Sequence, residues 1–464
     1  MTTLTAALVA LALGQAPTTL TLEDALRRAD SANLDLKAAR ARLDQAHAGV
    51  QKAWSYHLPQ VSAGATYTHN DSGVSLPFPV YSQVRTRDGA PGTAGNPNDP
   101  AQFAGALHGL PSSDFLSSVT TDIVIQKQDQ LGAQVQVAVP LIAPSLWYAI
   151  QASYKAEEVA DRSVENARQE LLFGVAQTFY GVTSLKKLLD VSQQLLEIAQ
   201  RQEKDAEVRF RTGTIAKVGY LRAEIDRARA EQDVRRSRNA LDSARIALAT
   251  LLDRDTAFEV AEPPAPPPPP AGADLEATAL RERRDVQAAR ATEGLTGSLR
   301  SVSAARYLPS LGAFGRWQIS NVGGFTGKND SWAVGLALSW SVFDGGLREA
   351  ELREGSARIA EAEASRRSAE HKAVAEVQQA KLDLESAQAN AQKSREQAEL
   401  ATENQRLVDV SFRAGAATAV EQADATASLR NALLAATADE LVAQLAALRV
   451  LKVAGIFEPA VARK

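Results

Sequence analysis

The chain has 464 residues and no cysteine, and Phe, Trp and Tyr together make up 5% of it. That composition excludes a disulfide scaffold, any Cys-ligated metal or haem, and a lipid anchor carried on a cysteine. Hydrophobic residues at 45% and charged residues at 23% describe a folded chain. The 51 basic and 55 acidic residues are intermixed at a net charge of -4, which excludes the concentrated basic surface of a nucleic-acid binder.

Residues 1–14 open an apolar run, MTTLTAALVALALGQAP, that ends in small residues, with Ala12 and Gly14 as a cleavage pair. This predicts a secretory signal, although no Lys or Arg precedes the run. No later stretch of about 18 apolar residues is free of charge, so a helix spanning a bilayer is excluded.

Laid against itself, the chain is duplicated. W-S-Y-H-L-P-Q from Trp54 matches A-A-R-Y-L-P-S from Ala304, which sets Pro59 opposite Pro309, 250 positions on. V-R-F-R-T-G-T, ending at Thr214, matches V-S-F-R-A-G-A, ending at Ala416, which sets Gly213 opposite Gly415, 202 positions on. The two offsets differ by 48, so the first copy carries that many extra residues between the two landmarks. Each copy reads helix, strand, loop, strand, very long helix, glycine turn, helix. The first repeat spans 15–262 and the second 274–455, with a proline-rich linker at 263–273 and a tail at 456–464. Pro263 to Pro270 is nearly all proline and predicts an extended, semi-rigid segment.

The long helices carry apolar residues at three and four spacing, as at Leu185, Leu188 and Leu189 or Val374, Val377, Ala380 and Leu384. At 1.5 Å per residue the runs ending at Arg211 and Arg413 could each reach about 100 Å. Alanine dominates these helices, which fits high helix propensity on solvent-facing positions; because it recurs inside the apolar seam, it also predicts close helix packing over that distance. Gly213 and Gly415 suit the left-handed residue past a helix end, at tips over 211–215 and 413–417.

Four segments alternate with period two. Val61, Ala63, Ala65 and Tyr67 share a face of the first, and Ala133, Val135, Val137, Val139 and Leu141 share one of the second. In the second repeat, within 310–343, Leu311, Ala313, Trp317 and Ile319 share a face, as do Trp332, Val334, Leu336, Leu338 and Trp340. Segments of about ten residues match tilted membrane strands, and tryptophans at both ends of the last suit an interfacial girdle. Four strands cannot close a barrel, and an open edge in lipid leaves backbone groups unsatisfied. Three chains would supply twelve strands in a closing ring. The extra residues of the first copy, 70–121, are turn-rich and predict a long extracellular loop.

The duplicated unit, the Leu-Pro entry to the first strand of each copy and the F-R-x-G turns resemble the TolC family of outer-membrane efflux ducts over nearly the whole chain. The resemblance implies an α+β membrane protein with an internally duplicated helix–strand–strand–helix unit. Its homotrimer would form a 12-stranded β-barrel continued by a periplasmic α-helical coiled-coil barrel. It further implies an exit duct of a tripartite efflux or type I secretion system in a Gram-negative outer membrane. The partners would be outer-membrane lipid, a periplasmic adaptor protein and an inner-membrane transporter.

The resemblance also points to residues. After Gly415 the chain reads A-A-T-A-V-E-Q-A-D, and acidic residues matching Glu421 and Asp424 ring the periplasmic constriction in that family. Three copies would gather about six carboxylates round one axis. Thr418 and Glu421 also have capping-box spacing, so helix capping is the competing role. The first repeat, with Lys217, Gly219 and Tyr220 at the equivalent stretch, adds no acidic ring. The tips, Thr212, Gly213 and Thr214 with Ala414, Gly415 and Ala416, correspond to the family's adaptor contacts, and as local structure they are helix caps.

No catalytic, cofactor or metal constellation is legible. His47, His57, His69, His108 and His371 are scattered, and Gly327-Lys328-Asn329 lacks the flanking residues of a phosphate loop. The rival to a duct is a soluble periplasmic coiled-coil scaffold or adaptor whose strands form a small sheet.

Overall fold

The longest helix begins where its sequence permits a start. Pro144 occupies the first helical position, where a missing N–H costs nothing, and α3 then runs unbroken through Pro144–Arg211. The computed structural model describes residues 18–85, 115–270, 274–323 and 328–457. The expected signal at 1–14, the middle of the 70–121 segment, His108, Gly327 and the end of the tail lie outside the described residues. In chain order the helices are α1 (Leu22–Ala32), α2 (Leu34–Ser55), α3, α4 (Lys217–Leu251), α5 (Leu275–Glu282), α6 (Arg284–Ala305), α7 (Leu347–Arg413) and α8 (Ala419–Val453). The strands are β1 (Thr18–Leu20), β2 (Gln60–His69), β3 (Val74–Arg85), β4 (Phe115–Gln126), β5 (Asp129–Ile142), β6 (Phe258–Val260), β7 (Ser310–Ser320) and β8 (Asp330–Ser339).

The chain divides into a helical unit, drawn from residues up to 50, 151–301 and 351 onward, and a strand unit of 51–150 and 302–350. In the helical unit the apolar seam of α7 buries Ala373, Val377, Ala380, Leu384, Ala387, Ser394, Ala398 and Ala401. Their spacing is four and three in alternation, with one step of seven across the half-buried Ala391, as in a coiled coil. The seam turns on Ala373, with the larger Val374 left half-buried, so small side chains define the contact line.

Among the apolar clusters of this unit, two have members that stand at the two repeat offsets. The first joins Ala29, Val175, Val182 and Leu248. The second joins Ala279, Val377, Leu384 and Val450. The backbone repeats in the same way: Gly213 and Gly415 have φ of 75° and 77°, and Asp253 and Gly455, also 202 apart, both have positive φ. At Gly455 a Cβ would stand 2.9 Å from the backbone of Glu282 and Arg283, so a side chain is excluded by space as well as by φ.

Where one helix is expected ahead of the first strand of each repeat, there are two. The chain leaves helical geometry at Asn33 (ψ 132°) and at Arg283 (ψ 128°). Asn33 earns its break: its Oδ1 accepts from Leu36 N at 3.0 Å and caps α2, while its Nδ2 donates to the Leu251 carbonyl at 3.0 Å. A short parallel pair, β1 with β6, adds a feature too brief for any sequence period to reveal.

The strand unit is a four-stranded antiparallel sheet in the order β2-β5-β7-β8. Its register puts Val61 opposite Val137, Val135 opposite Trp317, and Trp317 opposite Trp332. Directly paired residues share a face, so Val61, Ala63, Ala65 and Tyr67 line up with Leu131, Val135 and Val137, then with Leu311, Ala313 and Trp317, then with Trp332, Val334, Leu336 and Leu338. The opposite face carries Ser62, Thr66, Gln134, Gln136, Arg316, Gln318, Ser331 and Ser339. There Phe314 lies over Gly335, where a Cβ would come within 2.9 Å of the ring. The last strand ends at Ser339, short of the expected 343, and Trp340 stands just beyond it.

The segment 70–121 is not loop throughout. Its flanks enter a separate antiparallel ribbon, β3 with β4. The reason is compositional: Val74, Leu76, Phe78, Val80 and Tyr81, and Phe115, Val119, Ile123 and Val124, are strand formers. The turn residues concentrate between them, and Pro77 and Pro79 are admissible in a ribbon with free edges.

Candidate functional site

Both glycine turns end their long helix in the same hydrogen-bond pattern. Thr214 N donates to the Arg209 carbonyl at 2.8 Å and Gly213 N to that of Phe210 at 3.0 Å. Ala416 N donates to the Ser411 carbonyl at 2.8 Å and Gly415 N to that of Phe412 at 3.1 Å. These are Schellman motifs, which satisfy the last carbonyls of a helix and require the positive φ that glycine supplies. Thr212, Gly213, Thr214, Ala414, Gly415 and Ala416 are all exposed. The Thr212 hydroxyl is turned inward, 3.1 Å from the Val208 and Arg209 carbonyls and 3.0 Å from the Thr214 hydroxyl. The second tip offers only methyl groups and backbone.

The two tips are fastened to each other. Arg209, on the last turn of α3, donates to the Phe412 carbonyl at 3.1 Å and lies over the Phe412 ring, 4.4 Å from its centroid. A cation set against the negative end of α7 is favourable both as a hydrogen bond and as a charge on the helix dipole. Arg413 pairs with Asp409 at 2.9 Å, and Asp409 accepts from Gln422 at 3.0 Å, which ties α7 to the first turn of α8. At the other tip the rings of Phe210 and Tyr220 stack at 5.9 Å.

Glu421 and Asp424 lie on α8 in different circumstances. Thr418 and Glu421 form a complete capping box. Thr418 N donates to Glu421 Oε2 at 2.7 Å, the Thr418 hydroxyl donates to the same oxygen at 2.9 Å, and Glu421 N donates to the Thr418 Oγ1 at 3.2 Å. The backbone N–H of Thr418, followed by its hydroxyl, holds the Glu421 carboxyl below the usual carboxylate range. Asp424 is exposed and makes no hydrogen bond or ion pair among the described residues.

Asp424 instead borders a groove of about 630 Å³ between α4 and α8, floored by Leu188, Ser192 and Leu195 of α3. From α4 the groove receives Asp226, Arg229, Asp233 and Arg236, and α8 adds Arg430 to Asp424. Three carboxylates therefore face three guanidiniums. The contribution of α4 escapes a comparison of equivalent repeat positions, because Asp226, Arg229, Asp233 and Arg236 stand opposite Ser428, Asn431, Ala435 and Ala438, none of which is charged. Its signal was present as Asp226 and Asp233, with Arg229 and Arg236, each pair seven apart and so on one helix face. Among the described residues no group of three or more His, Asp or Glu could hold a metal ion.

The sheet is the other feature with functional weight. On β8, Trp332, Val334, Leu336 and Leu338 are 75%, 76%, 67% and 71% exposed. Such values on consecutive same-face residues describe an uncovered apolar surface. At the margin below it, Trp54 and Trp147 meet edge to face at 6.3 Å, and Trp340 Nε1 donates to the Tyr307 carbonyl at 3.1 Å. No described helix is long and apolar enough to cross a membrane.

The sequence signature of the outer membrane efflux protein family matches residues 25–254 and 275–455. No curated protein matches the chain. Among solved structures, the outer membrane protein VceC from Vibrio cholerae is 18% identical, with a TM-score of 0.70 over 94% of this chain and 96% of its own. A membrane protein from Pseudomonas aeruginosa is 18% identical, with a TM-score of 0.73 over 94% of this chain and 93% of its own. The Campylobacter jejuni CmeC outer membrane channel is 16% identical, with a TM-score of 0.69 over 95% of this chain and 86% of its own.

Proposed function

The chain belongs to the outer membrane efflux protein family, and from that premise we propose that it is a homotrimeric exit duct in the outer membrane of a Gram-negative bacterium. The observation that carries this reading is the sheet of β2, β5, β7 and β8, one face apolar from Val61 to Tyr67 and across to Trp332–Leu338, with His69, Asp129 and Asp330 only at the strand ends, and the other face polar or small apart from Phe314. A sheet in water hides its apolar face; a barrel wall in lipid turns it outward.

The oligomer follows from the edges. In the order β2-β5-β7-β8 the outer strands run antiparallel to each other, so β8 of one chain can pair with β2 of the next in the alternation the sheet already has. Three chains would then close twelve strands with no free edge. The helical unit supports the same conclusion. Leu382, Leu400 and Leu407 on α7, and Val218, Leu221, Ile225 and Ile246 on α4, stand exposed at helical or heptad spacing. Neighbouring copies would cover them in a helical barrel.

Within that assembly the tips are the contact surface for a periplasmic adaptor protein, and an inner-membrane transporter of an efflux or type I secretion system supplies the driving force. The first repeat would carry its β3–β4 ribbon outside the cell. Glu421 and Asp424 would lie at the periplasmic constriction, with Glu421 also capping α8. A soluble scaffold would leave the apolar sheet face in water.

Mass measurement of the detergent-solubilised protein tests the reading. Three chains per particle, recovered from the membrane fraction only with detergent, are expected. A stable monomer that remains in solution without detergent overturns it.

A further inference from the structure

We propose that a groove of the helical unit, between α3 and α6, is a binding site for an oxyanion, a phosphate or carboxylate group received by Arg162 and Arg284. The groove holds about 320 Å³ and is lined by Lys155, Glu158 and Arg162 of α3 and by Arg284, Gln287 and Arg290 of α6. Lys155 is neutralised by Glu158 at 2.8 Å and Arg290 by Glu370 at 2.8 Å. That leaves two guanidiniums.

Arg162 and Arg284 converge on one neutral atom. Arg162 Nη1 donates to Gln287 Oε1 at 3.5 Å, and Arg284 Nη1 donates to the same oxygen at 3.2 Å. Neither has a carboxylate partner among the described residues. Gln287 is fixed in this role, since its Nε2 donates to the Arg281 carbonyl at 2.9 Å and so turns the acceptor end of the amide toward the arginines. Two like charges within reach of a single oxygen repel each other, and one amide dipole offsets little of that repulsion.

Other half-buried arginines of the same unit are built differently. Arg168 has Asp30, Arg283 has Asp285 and Glu376, and Arg366 has Glu293 and Glu370. The α3–α6 groove is thus left with positive charge its own side chains do not meet, inside a concave surface. An oxyanion supplies what Gln287 lacks: a negative charge and several acceptor lone pairs, which guanidinium forks bind with charge-assisted hydrogen bonds. The inference concerns the helical unit alone and does not depend on the exit-duct reading.

The test uses the full-length protein in detergent, titrated with inorganic phosphate against chloride at constant ionic strength and followed by thermal melting. Gln287→Glu puts a carboxylate where the neutral oxygen stands while keeping the side-chain shape, so it fills the site from within. A saturable rise in melting temperature is expected for the unmodified chain, with affinity falling by about tenfold or more in Gln287→Glu and in the double variant Arg162→Gln, Arg284→Gln. Co-sedimentation with purified cell-wall sacculi, lost in Gln287→Glu, would uphold the site with its anion carried on a polymer. Saturable phosphate binding without co-sedimentation would uphold it for a free anion. An equal response to phosphate in the unmodified chain and in Gln287→Glu overturns the proposal, as does the absence of binding in both arms.

Discussion

Arg209 reaches from the last turn of α3 to the Phe412 carbonyl of α7 at 3.1 Å, with its guanidinium carbon 4.4 Å from the centre of the same residue's ring. One side chain thereby joins the ends of two helices that stand 202 positions apart in the repeat. Replacing it by glutamine removes the charge from the helix pole and the ring together. A local loss of about 1 kcal/mol is expected at this half-exposed site. Hydrogen exchange should register it as faster opening of the amides of Thr214 and Ala416, with those of Val175 and Leu248 unchanged. Unchanged exchange at the tips would mean that the Schellman motifs alone hold them.

The glycines of positive φ separate strain from space. At Gly213 nothing stands within 4 Å of an added Cβ, whereas at Gly455 the backbone of Glu282 and Arg283 is 2.9 Å away. Gly213→Ala should cost about 1 kcal/mol from the left-handed conformation, and Gly455→Ala about 3 kcal/mol once the clash is added. Denaturant melting of the two variants side by side decides the matter; equal losses would show that α5 and α6 shift to make room.

The repeat landmarks were legible because they are stereochemical necessities: a proline before a strand and a glycine after a helix have few substitutes. The shared faces of β2, β5, β7 and β8 were legible because each strand alternates cleanly. What escaped had physical reasons. Asn33 and Arg283 end helices without proline or glycine, and a tertiary hydrogen bond to Leu251 fixes the first break. β3 and β4 were obscured by Pro77, Pro79 and the turn-rich stretch between them. The α7 seam chose Ala373 over Val374 because close helix approach favours the smaller side chain, contrary to any hydrophobicity ranking. At the candidate constriction the capping box was visible as Thr418 and Glu421, but Arg229 and Arg236 beside Asp424 come from α4, where the repeat places no charged partner for them.

The sheet face gives a direct test of what surrounds it. Leu336 is 67% exposed at the middle of β8. If lipid covers that face, Leu336→Arg should destabilise the folded protein by about 2–4 kcal/mol, the depth-dependent penalty for a cation near the bilayer midplane. In water the same change would be close to neutral. Refolding titrations in lipid vesicles measure it, and a neutral result would remove the membrane from the account of this sheet.

The ribbon of β3 and β4 marks the insertion that makes the first repeat longer than the second. An epitope inserted near Gly95, outside the described residues, should leave assembly intact, since insertions between strand ends disturb little packing. Antibody should reach it on intact cells. Labelling only after rupture of the outer membrane would reverse the orientation.

The last prediction concerns Glu421 and Asp424. The Glu421 carboxyl is held below its ordinary value of 4.5 by Thr418, so its stabilisation of the α8 start is complete above that pH and is lost as pH falls through the lowered folded value. Acidification from pH 7 to pH 5 should therefore leave the cap intact. Glu421→Gln keeps an acceptor for Thr418 and should largely preserve the cap, whereas Thr418→Ala should cost about 1 kcal/mol. Asp424 has no such structural duty. It stands in a groove whose carboxylates and guanidiniums are equal in number, so neutralising it leaves a positive excess in each chain. In a trimer that excess would be repeated round a narrow passage, where low-dielectric walls focus the field. Glu421→Gln with Asp424→Asn should then weaken cation preference and block by multivalent cations in bilayer recordings, with the trimer retained. Unchanged selectivity and block in that double variant would assign Glu421 to capping alone and leave Asp424 without a part in conduction.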